Sequence, residues 1–71
     1  MEYEMISSIE KIEIINERIA NLEKHIFHNE MLILEHENIN MFDEEGLLTI
    51  NTQNNLYAQQ ILVLKTLKNS I

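Results

Sequence analysis

Isoleucine recurs every seven residues through the first half of the chain, at Ile12, Ile19, Ile26 and Ile33, and positions three residues further on hold Ile15 and Leu22. A repeat of seven nearly matches two helical turns, so it draws a continuous apolar stripe along one side of a helix and calls for another helix to cover it. Met5 and Asn40 extend the first set of positions, and Ser8, Asn29 and His36 extend the second. No glycine or proline interrupts residues 4–42, which predicts one long helix over about that stretch.

The chain has no proline and one glycine, Gly46, preceded by Asp43, Glu44 and Glu45. That cluster reads as the break in the helical pattern. Leu47, Leu48, Thr49 and Ile50 then read as a short apolar connection, and Asn51, Thr52, Asn54 and Asn55 offer N-caps for a second helix at roughly 53–69. No repeat, low-complexity tract or second domain is visible, so residues 1–71 form a single unit.

Beyond the heptad stripe, Phe27, Met31, Leu34 and Met41 make a second apolar stripe on the long helix. One neighbour cannot cover both. At about 1.5 Å per residue the first helix would be about 57 Å long and the second about 25 Å, so a hairpin would cover only the part from about residue 25 to 42. The second stripe lies there. Leu56, Tyr57, Ile61, Leu64 and Leu67 of the second helix would meet it, with Lys65 and Lys68 brought toward Glu30 and Glu23. This assigns the heptad stripe, Met5, Ile12, Ile15, Ile19, Leu22, Ile26, Asn29, Ile33 and His36, to contact with another copy.

The expected fold is therefore all-α: a long helix with a shorter one folded back, assembled as a parallel coiled-coil dimer of hairpins that opens into a four-helix bundle. Lys11, Arg18 and His25 lie along one flank of the stripe, and Ile9, Asn16, Glu23 and Glu30 along the other. A parallel pair sets Arg18 against Glu23 and His25 against Glu30. Isoleucine at both stripe positions keeps a trimer as the competing arrangement. The need to associate also follows from size, because a chain of 71 residues buries a modest share of its surface and this one has no cysteine for disulfides.

Charge narrows the class of function. The formal net charge is −7, and all twelve acids fall in residues 1–45 against Lys11, Arg18 and Lys24, a net of −9, while residues 46–71 hold only Lys65 and Lys68, a net of +2. Such a surface disfavours direct contact with nucleic-acid phosphates and favours basic protein partners. The longest uninterrupted apolar runs, residues 31–34 and 61–64, fall far short of the roughly 18 residues of a membrane span, and the acidic start, Met-Glu-Tyr-Glu-Met, is unlike a basic secretory leader. A cytoplasmic location is expected.

No catalytic constellation emerges. Ser7 and Ser8 have no histidine on a shared helical face, a single glycine cannot build a phosphate-cradling loop, and Glu13 with Glu17 reads as a solvated face. His25 and His28 share a face but have no carboxylate at helical spacing, so surface or interhelical hydrogen bonding explains them better than a metal, and no cofactor is expected. If His36 sits on an oligomer axis, its protonation is repelled by its symmetry mates and assembly becomes sensitive to pH. Asn29 and Asn40 read as register determinants, and Met31 and Met41 as gap-filling core residues.

The expectation is thus a small acidic protein-binding module, not an enzyme, that inhibits or recruits a target with a basic surface. Glu2, Glu4, Glu10, Glu13 and Glu17 are the candidate contacts. Rich use of isoleucine and asparagine fits an AT-rich microbial or phage genome and suggests a phage-encoded inhibitor of a host system. The alternative is an assembly chaperone or scaffold that uses its coiled coil as a spacer.

Overall fold

The computed structural model describes residues 6–71 as two helices, α1 (Ser8–Ile39) and α2 (Glu44–Asn69), packed as an antiparallel hairpin. The described residues contain no strand. The result is a rod of 55 × 24 × 16 Å.

α1 begins where Ser7 accepts a hydrogen bond from the Glu10 backbone N–H at 3.1 Å, which satisfies one of the donors a helix start leaves free. It ends at Asn40, whose φ of 51° and ψ of 58° are left-handed, with its N–H donating to the His36 carbonyl at 2.7 Å. Asparagine tolerates that conformation better than most residues. The long helix therefore stops short of the expected Phe42. It also starts later than the expected residue 4, at Ser8 behind its cap Ser7.

Only residues 40–43 connect the helices, and Asp43 starts the second by accepting from the Gly46 N–H at 2.8 Å. Glu44 and Glu45 occupy the first turn, where negative charge is favoured by the helix dipole. This corrects the reading of Gly46 as a break and of residues 47–50 as a connection. Both lie inside α2, which starts some nine residues before the expected boundary near 53. Gly46 is useful there for its size: an added Cβ would stand 3.2 Å from Asp43 Oδ1 and 3.3 Å from the Phe42 Cβ.

The longer α2 changes what the hairpin covers. With 26 residues it runs about 39 Å, enough to accompany α1 over most of its length. Ile15, Ile19 and Ile61 form the buried cluster, with Leu22, Ile26 and Leu64 packed on it. Ile50 is buried further toward the connection. Shielded along α1 are Ile12, Ile15, Ile19, Leu22, Ile26, Asn29, Ile33 and His36, and along α2 Leu47, Ile50, Asn54, Tyr57, Ile61, Leu64 and Lys68; Lys11, Leu32 and Gly46 are also half-buried but flank these series. Both series alternate steps of three and four, so each helix offers the other a heptad stripe.

Candidate functional site

Two groups of residues carry chemistry beyond simple packing, the polar groups inside the seam and the side chains on the two outer faces. Inside the seam, Asn29 is buried and its amide donates to the Asn54 side-chain oxygen at 2.8 Å, while the Asn54 amide reaches the Ile26 carbonyl at 3.5 Å. An amide pair in an apolar seam aligns the helices, since a slip in register would strand both groups without partners. Near one end of that pair, His25 stacks on Tyr57 with ring centroids 5.5 Å apart, so His25 faces α2.

His36 closes the connecting end. Its Nδ1 accepts the Phe42 backbone N–H at 2.8 Å, and its ring lies 5.8 Å from that of Phe42. One side chain thereby satisfies an N–H in the connection and packs against the residue that carries it. Among the described residues no three His, Asp or Glu side chains come together as a metal site.

The seam uses the stripe that the spacing reserved for another copy. Ile15, Ile19, Leu22, Ile26 and Asn29 face α2, as does His36 at the connection. Ile12 and Ile33 are partly shielded. Met5 lies outside the described residues. The stripe expected to pack the hairpin is left on the surface instead: Phe27 and Leu34 are each 60% exposed, and Met31 and Met41 are exposed as well. On α2, Leu56 and Leu67 are exposed, whereas Tyr57, Ile61 and Leu64 are in the seam. Lys65 and Lys68 are also displaced from their expected neighbours. Leu64 packs near Ile15 and Ile19, and Leu67 lines a groove with Ile14 and Ile15, so the lysines lie alongside the first half of α1, well past Glu23 and Glu30.

The outer faces differ in kind. On α1, Glu10, Glu13 and Glu17 are exposed at steps of three and four, so they line one side of the helix away from the seam. Glu2 and Glu4 lie outside the described residues. On α2 the outward residues include Leu48, Thr52, Asn55, Leu56, Gln59, Leu62 and Val63, and residues 46–64 contain no Asp, Glu, Lys, Arg or His. Apolar periodicity does not single out this face, because its leucines alternate with amides and hydroxyls. The missing charge was the signal.

Among the described residues no helix is long and apolar enough to cross a membrane. The chain matches no family model, no curated protein and no solved structure at a significant level.

Proposed function

We propose that this chain is a protein-binding module, without catalytic activity of its own, that docks through the acidic outer face of α1 on the basic surface of a target protein and so inhibits or recruits it. The observation that carries this reading is the exposed run of Glu10, Glu13 and Glu17 on the side of α1 away from α2. These carboxylates are free of any duty in the seam, and like charges held along one rigid face attract a basic surface from a distance. The remaining net negative charge of the chain acts in the same direction.

Capture from a lysate of the source cell, at rising salt, tests the proposal. Wild-type chain should hold a basic protein that is released steeply as the screening length falls from about 10 Å at 0.1 M salt to about 3 Å at 1 M. A Glu10→Lys, Glu13→Lys, Glu17→Lys variant that keeps its helix content should lose that protein. Retention by the variant, or capture indifferent to salt, overturns the reading.

A second reading, as an assembly chaperone or scaffold, is favoured by exposed Phe27, Met31 and Leu34, which stand at steps of four and three on α1. A flexible methionine between two larger apolar side chains suits an adaptable client surface. Capture that survives high salt and fails on Phe27→Ser with Leu34→Ser would support it. Self-association belongs to both readings. A parallel zipper through Ile12 to Ile33 would have to open the hairpin, because the same stripe is turned toward α2. The self-association compatible with a closed hairpin must use an outer face.

A further inference from the structure

We propose that a second copy of this chain covers the outer face of α2, with the two α2 helices antiparallel across a twofold axis near Asn55 and Leu56. The first support is the lack of charge. A solvated helix face normally carries ions, yet none occurs in residues 46–64, and Leu62 and Val63 are each 66% exposed. Copies of a chain with net charge −7 repel one another, most strongly where acids would face acids on α1. The α2 face is the surface on which two copies can meet with no charged group buried between them.

The second support is the order of residues on that face, which suits a twofold axis. Antiparallel pairing about Asn55 sets Leu48 beside Leu62 of the second copy and brings Thr52 within one residue of Gln59. Asn55 lies beside its own counterpart, with Leu56 one position off the axis. Apolar groups thus meet apolar groups, and amides or hydroxyls meet each other, as an isologous interface requires. The charges at the ends agree: Glu44 and Glu45 at the start of α2 come beside Lys65 of the second copy. A parallel arrangement would bring the four acids of the two helix starts together instead.

The third support is the thinness of the single hairpin. Among the described residues only Ile15, Ile19, Asn29, Ile50 and Ile61 are buried, and none has its side chain completely enclosed. A small core of this kind gains from association. The dimer would be a layer of four helices, with the α2 helices inside and the α1 helices outside. It would present two acidic faces pointing in opposite directions. This inference concerns the other helix from the one that carries the proposed target contact, so either can fail while the other stands.

Sedimentation of the purified chain at micromolar concentration should give twice its mass of 8.4 kDa. A Leu56→Lys, Leu62→Lys variant should sediment at the single-chain mass with its helix content kept. Because that variant could also unfold, cysteine pairing tests orientation separately in a chain that has no native cysteine. Oxidising a mixture of Leu48→Cys and Leu62→Cys chains should yield the mixed disulfide, with little Leu48→Cys homodimer. A wild-type chain at single mass, a Leu56→Lys, Leu62→Lys variant that remains dimeric, or a predominant Leu48→Cys homodimer overturns the proposal. So does single-mass chain that dimerises only when an apolar partner is added.

Discussion

The two helices share one inner design and have opposite outer ones. Each turns a stripe of alternating three- and four-residue steps toward the other, and each stripe contains one asparagine, Asn29 on α1 and Asn54 on α2, which meet. Outside the seam, α1 carries exposed glutamates while α2 is free of ionic charge from residue 46 to 64. Inner positions of a hairpin answer to a common constraint, because burial rewards apolar area at about 25 cal/mol per Å² whichever helix supplies it. Outer positions have no such common constraint. A difference between the outer faces therefore speaks about what each meets, and the acidic and uncharged sides of this rod are suited to different partners.

The strongest way to break this distinction is to mutate neighbours that point in opposite directions. Ile61 is buried against Ile15 and Ile19, whereas Leu62, the next residue, is 66% exposed in the hairpin. Ile61→Ala should cost about 2–4 kcal/mol in chemical denaturation, a large share of the stability of so small a domain. Leu62→Ala should leave the packing between α1 and α2 unchanged and act only on association. Equal losses at the two positions, measured at a concentration low enough to keep single chains apart, would erase the inner and outer division.

A smaller effect sharpens the account of the seam. Asn29→Ala removes the 2.8 Å bond and leaves Asn54 with a long contact to the Ile26 carbonyl, so it should cost about 1–3 kcal/mol. Replacing both asparagines by leucine should recover or exceed the wild-type denaturation midpoint, since no polar group is then stranded. The double variant should at the same time broaden the amide spectrum, because register is no longer enforced.

The smallest effect concerns the connection. His36→Ala removes the acceptor of the Phe42 N–H and the ring packed on Phe42, and should cost about 1 kcal/mol. Hydrogen exchange of the Phe42 amide should accelerate well before exchange at Ile19 or Ile61. Unchanged protection at Phe42 would show that His36 does not hold the connection closed.

How far the sequence could be read depended on one boundary. The heptad from Ile12 to His36 was legible because aliphatic residues fill nearly all its positions. The matching stripe on α2 was legible only at Tyr57, Ile61 and Leu64, since Asn54 and Lys68 interrupt it while Leu48, Leu56, Leu62 and Leu67 scatter a competing apolar signal over other faces. Gly46 then drew the second helix inward to about residue 53. In the structure that glycine sits in the first turn, where its N–H is satisfied by Asp43 and a missing side chain relieves crowding against Phe42. Asp43 followed by two acids is a helix start, a signal that the glycine beside it masks. From the shortened α2 came a hairpin too short to cover Ile12–Leu22, and so the assignment of that stripe to a second copy.

Sequence alone determined that the chain is helical, that it turns back on itself after the long first helix, and that the stripe through Ile12, Ile19 and Ile26 must be covered by a helix. Tertiary structure decided which helix does the covering. Periodicity states that a face is apolar and carries no information about the identity of its neighbour. Tethered through residues 40–43, α2 is held beside α1 at a high effective concentration, and closing so short a loop costs little entropy compared with bringing in a separate chain.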